Sequence, residues 1–179
     1  MRRCRLHVLG ASGSGTTTLG RALADHWSVP HADADDYFWV PTAPPYVTKR
    51  PVPDRLSLMA TMFLPREAWV LSGSMLGWGE DVVEACDAIV FLTLDPAERM
   101  RRLEQREERR RASETYDAEA SAAFMTWARG YDDPTFEGRS RVGHEAWLAD
   151  RRQPVLRLDS TRGPAELVRE VLRWEPVRR

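Results

Sequence analysis

Gly10-Ala11-Ser12-Gly13-Ser14-Gly15-Thr16-Thr17-Thr18 decides how this chain folds. It follows the apolar run Leu6-His7-Val8-Leu9 and leads into a helical pattern with Leu19, Leu23 and Trp27 on one face. Strand, glycine-rich loop and helix in succession let backbone N–H groups curl around a phosphate, and the helix N-terminus adds a partial positive charge. Gly10 and Gly15 meet the spacing G-x-x-x-x-G, and Thr17 falls where a hydroxyl ligand of Mg²⁺ belongs. Ser12, Gly13, Ser14, Thr16 and Thr18 complete the candidate phosphate cradle. At one position the pattern breaks. The lysine that should follow the second glycine is Thr16, whose hydroxyl can donate a hydrogen bond but brings no charge to the phosphates.

Outward from the loop, strands and helices alternate. Residues 3–9 read as the first strand and 16–27 as the first helix, with Pro30 beyond its end. A short strand over 31–33 runs into Asp33-Ala34-Asp35-Asp36. The segment 37–53 is rich in aromatics and proline, fits no regular period, and is long enough to be functional. A helix follows over 52–64, with Leu56, Met59, Ala60 and Phe63 on one face. Strand three is Trp69-Val70-Leu71, running into Ser72-Gly73-Ser74. The turn Gly77-Trp78-Gly79 opens a helix to about residue 85. Ala88-Ile89-Val90-Phe91-Leu92-Thr93-Leu94 is the plainest strand, and Asp95-Pro96 is a helix start signal. A basic helix over 96–112, mixed helix over 113–133, a further helix carrying Arg139, Arg141, His144 and Trp147, strand five at Val155-Leu156-Arg157-Leu158 and a last helix over 164–174 complete the chain. Such alternation gives a parallel sheet with right-handed crossovers and helices on both faces. Ligands then sit at the carboxyl ends of the strands, where the loop, the acid cluster and the glycine turn converge.

The chain has 179 residues, is 42% hydrophobic and 30% charged, and carries a formal net charge of -1. That balance gives no global attraction to nucleic acid or to an anionic membrane. No apolar run approaches the ~20 residues of a membrane span. Met1-Arg2-Arg3 leads straight into a strand, so a cytoplasmic protein is expected. Cys4 and Cys86 lie in or beside apolar segments and read as buried free thiols. Lys49 is the only lysine, and arginine, suited to bidentate anion clamps, supplies every other fixed cation. His7, His26, His31 and His144 show no ligand spacing. His144 with Asp132 and Asp133 suggests at most a polar cluster.

With these residues the chain resembles the P-loop small-molecule and nucleotide kinases, among them adenylate, shikimate and gluconate kinases. Asp35-Asp36-Tyr37-Phe38-Trp39 and Lys49-Arg50-Pro51 are also similar to segments of a bacterial group labelled adenylate kinase-like. The resemblance covers most of the chain. It implies an α/β P-loop NTPase fold: a five-stranded parallel sheet sandwiched by helices, in one domain over 1–179, with a helical lid at about 99–145. It implies ATP and Mg²⁺ as cofactors and phosphoryl transfer to a small-molecule acceptor: a nucleoside monophosphate, a nucleoside or a hydroxylated metabolite. It leaves the oligomeric state open.

Residue roles follow from the same resemblance. By analogy with shikimate-type kinases, Asp33 would join Thr17 at the Mg²⁺ shell and Asp35 would contact the acceptor hydroxyl. By analogy with uridine kinase-like enzymes, the base lies in Asp35-Asp36-Tyr37, so which carboxylate acts stays open. Arg102 and Arg106, four apart on one helix face, match arginines at the start of the lid; Arg139 and Arg141 fall where the family places phosphate clamps after it. Lys49 or an arginine of 99–111 is expected to supply the charge missing at Thr16. Adenylate kinases usually carry an aspartate near Ser72-Gly73-Ser74, and its absence moves metal binding toward the acid cluster. Ser74, the glycine turn and Trp78 are candidates for the acceptor pocket.

Two other classes compete. A nucleotide-binding regulatory module with little transfer activity is favoured by Thr16 and disfavoured by the retained acids and arginines. A nucleic-acid binder using the arginine-rich helix is disfavoured because Glu98, Glu104, Glu107 and Glu108 interleave its charges and no stacking-aromatic motif accompanies them.

Overall fold

The computed structural model describes residues 1–113 and 115–176. Five strands, β1 (Arg5–Gly10), β2 (His31–Asp33), β3 (Trp69–Ser72), β4 (Ala88–Thr93) and β5 (Val155–Asp159), form one sheet in the order β2-β3-β1-β4-β5. Every pairing is parallel. β1, the earliest strand, is central: Val8 lies beside Ser72 on one side and Val90 on the other.

The inner strands are buried on both faces, which is why they read as continuous apolar runs. Alternate residues feed opposite layers. Leu6, Val8, Val70, Val90 and Leu92 pack with Leu19 and Leu23 of α1 (Thr16–Trp27) and with Leu167 and Val171 of α8 (Pro164–Arg173). Leu9, Trp69, Leu71, Ile89 and Phe91 pack on the other face with Met59 of α3 (Val52–Met62), Val82 and Val83 of α4 (Glu80–Glu84), and Trp147 and Leu148 of α7 (Arg141–Ala149). A third, smaller cluster joins Leu103 of α5 (Pro96–Arg110) to Met125 and Ala128 of α6 (Ala118–Arg129).

Several elements differ from expectation. The first strand begins at Arg5 and extends through Gly10. The acid cluster opens a short helix, α2 (Ala34–Phe38), which Asp33 caps by accepting a hydrogen bond from the Asp35 amide. The irregular segment therefore starts at Trp39, and even there Trp39 pairs antiparallel with Lys49, with Val40 N donating to Thr48 O at 2.8 Å. On α3, Met59 is buried and Ala60 is exposed. The expected 113–133 helix is α6 followed by a 3-10 turn, Gly130–Asp132; Glu114 in that stretch, like residues 177–179, lies outside the described residues. Ser140 caps α7, accepting from the Gly143 amide, so Arg139 precedes that helix instead of riding on it. Among the described residues no helix is long and apolar enough to cross a membrane.

Candidate active site

The glycine-rich loop is shaped by close approaches. A Cβ on Gly10 would lie 2.5 Å from Ser14 Oγ and 2.6 Å from Leu92 O, so only glycine lets the chain turn back over β4. Gly13 and Gly15 both have φ of 89°, the left-handed region that glycine enters without steric cost. Within the loop, Ser14 Oγ donates to Ala11 O at 2.8 Å. Gly15 caps α1 with no side chain to accept from the first-turn amides, which leaves that end of the helix suited to an anion.

Thr17 and Asp33 meet. Thr17 Oγ1 donates to Asp33 Oδ2 at 2.7 Å, Ser72 Oγ donates to the same oxygen at 3.2 Å, and His31 Nε2 lies 3.0 Å from Ser72 Oγ. The other carboxylate oxygen caps α2. One hydroxyl and one carboxylate beside a phosphate loop suit Mg²⁺, which keeps several waters and takes its remaining ligands from substrate phosphates. No cluster of three or more His, Cys, Asp or Glu stands ready for a metal among the described residues, so an all-protein cage is not on offer. Thr17 and Asp33 are the residues that would hold the ion.

Asp35 lines the cavity in front of the loop. Loss of hydration among surrounding protein raises the pKa of its carboxyl above the ordinary value, the Asp33 charge raises it further, and Arg139 partly opposes both. Asp36, the next residue, does not line this cavity. Its carboxyl is also raised, by burial and then by Asp33. The sequence left open which carboxylate acts; of the two, only Asp35 lines the cavity.

The arginines sort less evenly than their spacing suggests. Arg139 lines the cavity, and its Nη2 donates to Ser12 Oγ of the loop at 2.8 Å. Its guanidinium sits 4.8 Å from the centroid of Trp127, and its buried Nε has no partner. Arg102, Arg106 and Arg109 line the cavity from α5. Arg102 is fixed by Glu98 at 2.9 Å and Ser160 O at 3.0 Å; Arg106 pairs with Glu107 at 3.3 Å. Arg141 is placed elsewhere: it pairs with Asp132 at 2.9 Å and does not line the cavity. Lys49 also lies outside the cavity lining. It is exposed, held by the bridge to Trp39, with its ammonium 6.0 Å from the Phe38 ring. The backbone pairing of 39–49, which the sequence did not reveal, is what keeps it away.

Sequence reasoning did not single out the pairing of two residues, Arg99 and Asp132. Arg99, named only as one of the arginines of 99–111, is 2% exposed. It donates to Ser12 O at 3.3 Å, to Ala128 O at 2.9 Å and to Asp132 Oδ2 at 2.8 Å, tying the loop to the end of α6. Asp132 serves Arg99 and Arg141 and does not join His144. Asp133 accepts from Thr135 instead. The one available signal was spacing: Arg99, Leu103 and Glu107 recur at four-residue intervals and are the buried positions of α5. The cavity, about 650 Å³, is also lined by Ser160-Thr161-Arg162-Gly163-Pro164, around the start of α8.

The parallel sheet with the glycine-rich loop after its central strand defines a P-loop NTPase fold. A gluconokinase from Sinorhizobium meliloti 1021 superposes with a TM-score of 0.53 at 19% identity, covering 96% of this chain and 91% of that one. A shikimate kinase from Aquifex aeolicus vf5 gives 0.53 at 16% identity, covering 94% and 93%. No family model matches. The chain belongs to the same family as the Bacillus subtilis (strain 168) protein described as "Uncharacterized protein YqaC", with which it is 38% identical over 171 residues, 93% of this chain and 94% of that protein.

Proposed function

We propose that this protein is an ATP-dependent phosphotransferase acting on a small acceptor, adenylate kinase-like in its use of lid arginines. The observation that carries the reading is the meeting of Arg139 with Ser12 Oγ in the cavity that also holds Thr17, Asp33 and Asp35. The loop cradles the phosphates of ATP, and Thr17 with Asp33 holds Mg²⁺, which when bound offsets charge on the phosphates. Arg139 supplies the fixed positive charge that a lysine at Thr16 would bring. Asp35 accepts the proton of the attacking hydroxyl; its raised pKa makes it a better base than an ordinary aspartate. Arg102 and Arg106 line the nucleotide side. Residues 99–145 act as the lid of a single catalytic unit, closing the arginines over the phosphates. Catalysis is then positioning and charge stabilisation.

Thr16 favours one other reading, a nucleotide-binding module without transfer. A coupled assay of ADP release separates the two, using ATP, Mg²⁺ and a panel of gluconate, shikimate, nucleosides and nucleoside monophosphates. Acceptor-dependent release of ADP supports the phosphotransferase. Tight ATP binding with no acceptor-dependent release across the panel supports the module.

A further inference from the structure

Ser74 is held from behind by two buried side chains, and they dictate where its hydroxyl proton points. Tyr131, in the 3-10 turn after α6, is 6% exposed, and His144 of α7 is wholly buried. The Tyr131 hydroxyl lies 2.9 Å from His144 Nδ1, and His144 Nε2 lies 2.9 Å from Ser74 Oγ. No other hydrogen bond reaches the Tyr131 hydroxyl among the described residues. If that hydroxyl only accepted, its proton would be buried without a partner, at a cost of roughly 1–3 kcal/mol. It therefore donates to Nδ1. A neutral imidazole has one N–H, and here it must sit on Nε2 and donate to Ser74 Oγ. Burial, helped by Arg139 and His7, lowers the His144 pKa to about 3, so the ring is neutral. Burial first of all raises the Tyr131 pKa to about 12, so the phenol keeps its proton.

Ser74 Oγ takes a second donor, the Leu76 amide, at 3.4 Å. With two donors on its oxygen, its own proton has no protein acceptor among the described residues. The residue lines the cavity beside Asp35 and Arg139. The turn is fixed below as well, because fully buried His7 donates from Nε2 to Gly73 O at 2.8 Å.

We propose that Tyr131 and His144 orient Ser74 as a hydrogen-bond donor to the acceptor substrate. That substrate then carries, besides the hydroxyl that meets Asp35, a second oxygen that receives the Ser74 proton. Naming the ligand a substrate rests on the phosphotransferase reading; the direction of the proton does not. Tyr131 and His144 are positioning residues, and Ser74 touches the ligand.

Long-range ¹H–¹⁵N correlation spectra of the whole protein, with the His144 signals identified by their loss in His144→Gln, test the relay directly. The expected result is a single neutral tautomer protonated at Nε2; protonation at Nδ1 or a charged ring overturns the proposal. Turnover with the same panel of gluconate, shikimate, nucleosides and nucleoside monophosphates tests the ligand. Ser74→Ala is expected to raise the KM of the acceptor used about tenfold, the worth of one hydrogen bond. The KM of ATP stays unchanged, and Ser74→Thr, which keeps the hydroxyl, recovers most of the loss. Tyr131→Phe mixes the two tautomers and raises acceptor KM less than Ser74→Ala does. An unchanged acceptor KM in Ser74→Ala overturns the proposal. If no acceptor is turned over, the phosphotransferase reading fails, and the tautomer spectrum decides the relay by itself.

Discussion

At Thr16 the loop lacks the charge that usually faces the β- and γ-phosphates, and in the proposed function that charge is assigned to Arg139, whose guanidinium is bonded to Ser12. Arg139→Ala is expected to lower kcat by roughly 10²–10³-fold, the scale of losing one preorganised charge stabiliser. Arg139→Lys should recover part of that loss. Lys49→Ala should leave turnover unchanged, since Lys49 sits in the 39–49 pairing outside the cavity lining. Steady-state kinetics on the three variants check this, and a loss confined to Lys49→Ala would reverse the assignment. Asp35 carries a second prediction. Its folded pKa is raised above 3.8, by lost hydration and then by Asp33. At pH values below 3.8 it is protonated folded or unfolded and costs nothing. As pH rises through that value and then through the folded one, ionising it in place withdraws stability. Asp35→Asn should therefore raise the urea midpoint at pH 7, leave it nearly unchanged near pH 3, and abolish acceptor turnover. A lower midpoint at pH 7 would contradict the electrostatic account.

Between elements, the decisive joint is Arg99, which links α5, the carbonyl of Ser12 and the end of α6. Removing one member of a buried pair leaves the other charge uncompensated, which typically costs about 3–5 kcal/mol. Asp132→Ala should destabilise the protein by about that amount in urea unfolding, and should weaken ATP binding because Arg99 also holds the loop. Equal nucleotide affinity in the variant would separate the joint from the loop. Arg99 also marks the limit of sequence reading. The loop and β4 were legible because they are local: glycine spacing demands a turn, and an unbroken apolar run demands burial on both faces. Thr17 and Asp33 could be brought forward separately, since each ends or starts an element beside the loop. Their 2.7 Å contact is fixed by pairing of β2 with β3, which no local pattern encodes. Arg99 looked like any other arginine among glutamates because its burial comes from tertiary packing of α6 and the loop against α5. The antiparallel contact of Trp39 with Lys49 is likewise set by tertiary structure, in a stretch whose prolines hide any period.

For the molecule as a whole, ligation should be visible as stability. A nucleotide that binds only the folded state at a hundred times its Kd adds about 2.7 kcal/mol, which for a chain of this size raises Tm by roughly 5–10 °C. Mg²⁺ with ADP should produce such a shift in calorimetry, and Asp33→Asn should shrink it. An unshifted Tm at saturating nucleotide would count against any nucleotide-binding role. The strand order carries a further consequence, for the way the chain is made. β1 is synthesised first, yet its neighbours in the sheet are β3 and β4, at residues 69–72 and 88–93. Gly10 closes against Leu92, Ser12 against Arg99 and Arg139. The loop is thus translated before the residues it packs against, Leu92, Arg99 and Arg139. The pairing of β1 with β3 and β4 can therefore form before the contact of Ser12 with Arg139, which comes last in chain order.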